Sequence, residues 1–292
     1  MKKLNKKKTI IICVSFVALL IVIIGLYLLF SGREISKEQK ETPYIQDNTN
    51  EVSNVKDERE VPPQSYTASV PIFMYHFILD DYGNYPDVEN FLKPETLEEQ
   101  IKYIVDNGYQ PIFINEIDKV YKYEKPVALT FDDCFVYFYN NAFPIIKKYN
   151  VKVTCNLIYN YMNGENYLTN AQVKEMIDSG LVSIESHTLS HQQLTTLSSE
   201  QEQKELIESK ECFENDFGIE LSTICYPIGD YDQNTINVAK DHYKFGLAMT
   251  GGVYHSNIHT NMYAIPRIYA NRSMPLSTYA NYLKQSKVEV FW

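Results

Sequence analysis

Two carboxylates stand side by side where an apolar run ends. Asp132 and Asp133 close the stretch K-P-V-A-L-T-F-D-D (125–133), and Cys134 follows them. Further on, His187 and His191 form H-T-L-S-H after a second apolar run, L-V-S-I-E-S (181–186). Two imidazoles four residues apart reach one ion if the backbone turns as a helix or a tight loop. Two histidines with one carboxylate are a common ligand set for a catalytic divalent metal that keeps positions open for water. One aspartate of the pair is then a ligand, and the other, held beside the ion, is a base toward water. Each piece also has a plainer reading. Adjacent acids cap helices, whose N-termini favour negative charge. An H-x-x-x-H pair arises by chance, and the chain holds a second one, His255 to His259, in a loop after T-G-G. The two pairs at separate strand ends are far harder to obtain by chance than either alone. His76 near the end of P-I-F-M-Y-H-F (71–77), Tyr226 and Pro227 closing S-T-I-C-Y-P (222–227), and Arg267 within Y-A-I-P-R-I-Y-A (263–270) stand at comparable places.

Bringing these groups together takes strands that end at one face. Strand-like runs at 71–77, 126–131, 151–158, 181–186, 222–227, 244–250 and 263–270 alternate with helix-like segments. The helices fall at 94–108, 140–150, 169–180, 198–218, 234–243 and 276–284. Thr169 or Asn170 caps the third helix and Gly180 ends it. Strand–helix units with short links imply parallel strands and right-handed crossovers. The expectation is an α/β fold, a distorted (β/α) barrel of about seven parallel strands, with functional residues at the C-terminal strand ends.

These residues resemble the polysaccharide deacetylase family, the NodB-homology carbohydrate esterases, over about residues 70–285. T-F-D-D (130–133) is similar to the family's first motif, which implies Asp132 as catalytic base and Asp133 as metal ligand. S-H-T-L-S-H (186–191) is similar to the second, which implies His187 and His191 as metal ligands. Y-P-I-G (226–229) resembles the third, which lines the site and gives a backbone donor to the oxyanion. M-Y-H (74–76) and I-P-R-I (265–268) look like the branch that includes biofilm poly-N-acetylglucosamine deacetylases, and there the early histidine, here His76, is a candidate general acid. That ligand set favours a divalent metal, zinc before iron, cobalt or nickel. Tyr226, Pro227, Gly229 and Arg267 are grouped on the substrate and oxyanion side, with Arg267 also placed to orient Asp132. The chain departs from the pattern in three ways. Cys134 replaces the usual glycine, Cys225 stands where many members have an arginine, and the aspartate–tryptophan motif with the usual late histidine is not evident.

The N-terminus is of another kind. M-K-K-L-N-K-K-K precedes an uncharged apolar run, Thr9 to Phe30, long enough to span a bilayer. Residues 1–30 read as cytoplasmic lysines and a single-pass membrane anchor, with the rest outside the cell. A cleaved signal peptide is the alternative, and it also exports the chain. Residues 31–69 read as a flexible, disordered linker, and 70–292 as the catalytic domain. The net charge of −10 argues against nucleic acid, which needs a basic footprint. Cys134, Cys155, Cys212 and Cys225 permit three pairings, and buried free thiols are the plainer reading of Cys155 and Cys225. Tyr82 and Tyr85 are candidates to stack on sugar rings.

The expected function is metal-dependent removal of N-acetyl groups from an extracellular N-acetylglucosamine polymer, an exopolysaccharide or peptidoglycan. An O-acetyl esterase acting on a glycan such as xylan would use the same groups. A wall-binding member that lost turnover through Cys134 is the non-enzymatic alternative.

Overall fold

The computed structural model of the protein describes residues 62–80 and 89–292. The segment read as an anchor, most of the tether, Cys13, Tyr82 and Tyr85 lie outside the described residues. No helix among the described residues is long and apolar enough to cross a membrane.

Strand β1 (Ser65–Val70) runs into β2 (Ile72–Tyr75), and the short β3 (Phe77–Ile78) and β4 (Phe91–Leu92) pair with each other. Strands and helices then alternate: α1 (Pro94–Asp106), β5 (Gln110–Ile112), β6 (Pro126–Asp133), α2 (Phe143–Tyr149), β7 (Val153–Leu157) and α3 (Asn170–Asp178). They continue through β8 (Val182–Ser186), α4 (Ser199–Phe217), β9 (Thr223–Cys225), α5 (Gln233–His242) and β10 (Phe245–Leu247). The chain ends with β11 (Tyr254–His255), β12 (Ile268–Tyr269), α6 (Leu276–Leu283) and β13 (Lys287–Phe291). Local signals set the helix limits. Thr169, Ser198 and Asp232 cap α3, α4 and α5 through their side chains, and Gly218 ends α4 at φ 66°.

The main sheet runs β10-β9-β8-β7-β6-β2-β12, with β5 added beside the start of β6, and every pair is parallel. It curls until its ends meet. Ile265, just ahead of β12, accepts from Ala248 N (2.9 Å) and donates to Gly246 O (2.9 Å), and Arg267 N donates to Thr250 O (3.0 Å). The weakest seam lies between β8 and β9, whose ladder has the single pair Ser186 with Ile224. There the Glu185 carboxylate accepts from the backbone of Ser222 (2.9 Å) and Thr223 (2.7 Å), so a side chain supplies the missing bonds. This is the expected curled α/β barrel.

The strand period of two sends alternate residues inward and outward. Outward side chains such as Phe73, Phe131, Val153 and Ile184 pack under the helices. Inward ones differ by height. At the N-terminal end, Val70, Ile72, Ile112, Ile114, Ala128 and Ile265 fill the barrel with apolar atoms. Along β6 the inward series Ala128, Thr130, Asp132 becomes polar toward the C-terminal end, and Asp133 reaches the rim. Sequence and structure differ at the domain boundary. Residues 65–69, assigned to the tether, belong with Val70 to a strand that pairs antiparallel with β13 and with β11 and buries Ala68 and Val70. Its alternation is masked by serines and threonine. Of the run 263–270, only Ile268–Tyr269 is regular strand.

A chain shortened to begin at Pro62 should melt like the parent domain. One beginning at Pro71 loses β1, uncovers β13 and opens the apolar plug. Losing Val70 burial alone costs roughly 1.5–3 kcal/mol, so its melting temperature should fall by on the order of 10 °C. Equal melting curves by circular dichroism would return residues 65–69 to the tether.

Candidate metal centre and active site

Three donors converge at the C-terminal mouth. Asp133 Oδ1 lies 3.6 Å from His187 Nε2 and 3.5 Å from His191 Nε2. The ligand atoms of Asp133, His187 and His191 all fall within 4.8 Å of one another. His187 Nδ1 donates to Cys225 O (2.8 Å), which fixes the tautomer and turns the Nε2 lone pair toward Asp133. Burial, reinforced by His187, lowers the pKa of His191, so its ring is neutral near pH 7. Two imidazole nitrogens and a carboxylate oxygen that converge this closely suit a cation lying among them. The donor set therefore fits a divalent metal, with N and O ligands suited to zinc. A second grouping, Asp132 with His187 and Cys225, also converges. It suits a metal poorly, because Arg267 already neutralises Asp132 and burial pushes the Cys225 thiol up.

Asp132 is buried and held from two sides. Arg267 Nη1 and Nη2 donate to Oδ1 and Oδ2, each at 2.8 Å, and Asn156 Nδ2 donates to Oδ1 at 2.7 Å. Burial alone would raise this carboxyl, but the Arg267 charge and its hydrogen bonds outweigh burial and hold it well below the usual range. Asp132 stays ionised, with lone-pair capacity left on Oδ2. Asn156 went unnoticed in the sequence. Its signal was a polar residue inside an apolar strand, in direct register with Asp132.

Arg267 is not on the substrate side. It is 1% exposed. Its remaining donors reach Ala248 O (3.0 Å), Thr130 Oγ1 (3.1 Å) and Cys225 Sγ (3.3 Å), which leaves none for a ligand. It positions Asp132. The other residues grouped with it need similar correction. The Tyr226 ring crosses Gly246, where a Cβ would lie 2.3 Å from its hydroxyl, and Oη donates to Tyr263 O. Tyr226 N donates to Leu247 O, Pro227 has no N–H, and Gly229 N donates to Tyr226 O. Within that turn Ile228 N–H is the donor left over, at φ 50° with its side chain exposed.

His76 follows β2 one residue beyond the Tyr75–Phe131 pair, which puts it beside Asp132. Its Nδ1 is buried with no hydrogen-bond partner among the described residues. Burial lowers its pKa, partly countered by the Asp132 and Asp133 charges, so the resting imidazole is neutral near pH 7. His255 and His259 sit at the opposite end. His255 Nδ1 meets Ser69 Oγ (2.7 Å) and His259 Nδ1 accepts from His255 N (2.8 Å), beside the start of β2.

The ligand turns are strained. Asp133, Cys134, Thr188 and His191 all have positive φ, between 44° and 69°. The second turn is tied to α4. Glu205 accepts from Ser190 N (2.8 Å) and Ser190 Oγ, its carbonyl accepts from Leu189 N, and His191 N donates to Thr188 Oγ1 (3.0 Å). Cys134 points away from the donors. Its side chain is buried in the layer beneath the helices, with Sγ 3.1 Å from Phe131 O. The cysteines Cys134, Cys155, Cys212 and Cys225 are all free.

A parallel α/β barrel with such a donor set beside an arginine-held aspartate is an arrangement for metal-assisted acyl hydrolysis. The chain belongs to the polysaccharide deacetylase family, whose sequence profile matches residues 119–244 and so includes both aspartates and both histidines. YxkH of Bacillus subtilis, whose name assigns it to these deacetylases, is 34% identical over 226 residues, 75% of this chain and 78% of that protein. The poly-beta-1,6-N-acetyl-D-glucosamine N-deacetylase of Staphylococcus aureus is 28% identical over 215 residues, 67% of this chain and 73% of its own. The Streptococcus pyogenes deacetylase PplD, solved in complex with acetate, superposes with a TM-score of 0.69 at 28% identity, covering 74% of this chain and 98% of that one.

Removing one partner of the buried pair leaves the other charge uncompensated. Arg267→Met should lower the unfolding free energy by ~3–5 kcal/mol in urea titrations, and Asp132→Asn in that background should return part of it. A loss below ~1 kcal/mol would mean that the pair is solvated or broken in solution.

Proposed function

We propose that the protein removes N-acetyl groups from a polymer of N-acetylhexosamine, releasing acetate and leaving free amines. One observation carries the reading: an ionised, arginine-held aspartate lies beside a metal-fitting set of one aspartate and two histidines. The similarity to the staphylococcal N-deacetylase supports amide rather than ester as the bond cleaved. A divalent ion held by Asp133, His187 and His191, zinc by preference, supplies the Lewis acidity that makes water a nucleophile near neutral pH. Asp132 accepts the proton of the attacking water at Oδ2, and Arg267 keeps that oxygen aimed. Ile228 N–H donates to the oxygen of the carbonyl as charge develops on it. An amine leaves poorly unless protonated. His76, with its unpaired Nδ1, is the group placed to carry that proton once the occupied site makes it available.

We further propose that residues 9–30 anchor the chain in the membrane with the catalytic domain outside. The lysines before that run support this orientation. Protease added to wall-stripped cells should cut the tether and release the domain, whereas a fully protected domain reverses the topology.

Chitin oligomers should yield acetate with the zinc-loaded protein, should stop doing so after chelation, and should resume with added zinc. His191→Ala should lose both zinc binding and acetate release while keeping its circular dichroism spectrum. Faster release from O-acetylated xylan oligomers than from chitin oligomers would replace the N-deacetylase reading with the esterase one.

A further inference from the structure

The segment that supplies Arg267 carries a second side chain turned toward the site. Tyr269 comes two residues after Arg267, so the strand period of two puts both on one face of the sheet, the inner one. Tyr269 pairs in register with Met74 of β2, and Met74 pairs with Thr130 of the inward series on β6. His76 lies two residues beyond Met74, on the same inner face. The register therefore brings the Tyr269 ring against His76. The two rings meet at 82° with their centroids 6.1 Å apart, the edge-to-face arrangement that such rings prefer.

The imidazole needs such a neighbour. Its Nδ1 is buried without a partner among the described residues, so no hydrogen bond on that side fixes the direction of the ring. Tyr269 itself is tied down. Its hydroxyl donates to Asn90 Oδ1, and burial, reinforced by the Glu89 charge, raises its pKa and keeps it a donor. The Asn90 carbonyl accepts from the backbone N–H of Phe77 (3.2 Å), the residue that follows His76. Ala270 N donates to Met74 O (3.0 Å) and fastens the end of β12 to β2. Asn90 thus grips both the backbone beside the imidazole and the tip of the ring that abuts it. A proton reaches a leaving nitrogen only if the donor ring points at it, so whatever aims the imidazole bears on the rate.

We propose that Tyr269 is a positioning residue for His76: its ring, anchored by Asn90, holds the imidazole in the direction from which it protonates the departing amine. One short segment then serves both proton-handling groups, Arg267 aiming the base Asp132 and Tyr269 aiming the acid His76. This rests on the reading of His76 as the acid and adds what orients it. Tyr269 acts through His76, since its own hydroxyl is committed to Asn90.

The test compares two substrates of the zinc-loaded protein. The amine of an N-acetylglucosamine hexamer leaves only when protonated, whereas the phenolate of an activated aryl acetate needs no acid. Tyr269→Leu should lower kcat on the hexamer about tenfold, the worth of one good ring contact. Its hexamer KM, bound zinc and aryl acetate hydrolysis should change by less than about twofold on the same scale. Tyr269→Phe keeps the ring and should recover most of the loss. Asn90→Ala keeps both rings, releases the hydroxyl and should show the same selective loss to a smaller extent; it carries the test if Tyr269→Leu does not fold. In a His76→Ala background Tyr269→Leu should cost nothing further, because nothing is left for it to aim. Parent-like hexamer turnover in Tyr269→Leu, equal losses on the two substrates, or an undiminished loss in the His76→Ala background would overturn the positioning role while leaving His76 as the acid. A His76→Ala protein that loses both substrates equally would remove the acid reading, and the role of Tyr269 with it.

Discussion

A charge pair sealed in the mouth of the barrel governs the rest of the site. Taking a carboxylate and a guanidinium out of water costs several kcal/mol per ion, and their attraction offsets this only when the remaining donors and acceptors are also satisfied. Here they are. Arg267 uses its five donors on Asp132, Thr130, Ala248 and Cys225, and Asn156 adds a bond to Asp132. The pair also ties β6 to the segment entering β12 across β2, the same segment whose bonds to β10 complete the ring. Two adjacent acids are thereby made unlike. Asp132 points inward and is neutralised by a fixed cation. Asp133, on the next residue and at positive φ, turns to the rim and faces His187 and His191. Had both faced inward, one charge would have gone unpaired.

The same geometry accounts for the strain. An L-residue in the left-handed region costs roughly 1–2 kcal/mol, and such residues persist where the surroundings over-determine them. Asp133, Cys134, Thr188, His191 and Ile228 all lie in turns at the mouth. The second ligand turn is held by Glu205 and Thr188, and the Ile228 turn by bonds from Gly229 N to Tyr226 O and Asp230 N to Pro227 O. Gly229 itself is required there, since it has φ 70° and Met249 would lie 2.7 Å from an added Cβ. The helices behind the sheet thus do more than cover it. Helix α4 presents Glu205 to the backbone of the loop that carries both histidines.

Much of this was legible in the sequence, because the signals were local. Apolar runs gave the strands of the barrel, and capping residues and glycines gave the helix ends. The aspartate and histidine pairs marked two of the loops. What escaped was non-local. Arg267 read both as a residue for substrate and as a group to orient Asp132, because nothing in I-P-R-I reveals that Asp132, 135 residues earlier, claims it in full. Tyr226 read as site-lining because it follows a strand, although its ring takes the outward face. Residues 65–69 read as tether because the partner strands of β1, β11 and β13, come near the end of the chain.

Cys134 shows how a departure from a motif is weighed by direction and not by identity. Glycine after two aspartates allows the left-handed turn without penalty, and a cysteine there incurs the Cβ cost. A side chain aimed at the ligands would also have competed with Asp133 as a softer donor. At φ 44° it goes the other way, into the layer beneath the helices, where burial pushes the thiol's pKa well up and keeps it protonated. Its S–H meets the Phe131 carbonyl, and its packing among apolar side chains offsets part of the backbone cost. The Cys134 N–H donates to Asp132 O at 2.6 Å, the bond that closes the turn, and needs no particular side chain. The substitution therefore changes the inner face of the turn and leaves its outer face, with the three donors, as the motif requires.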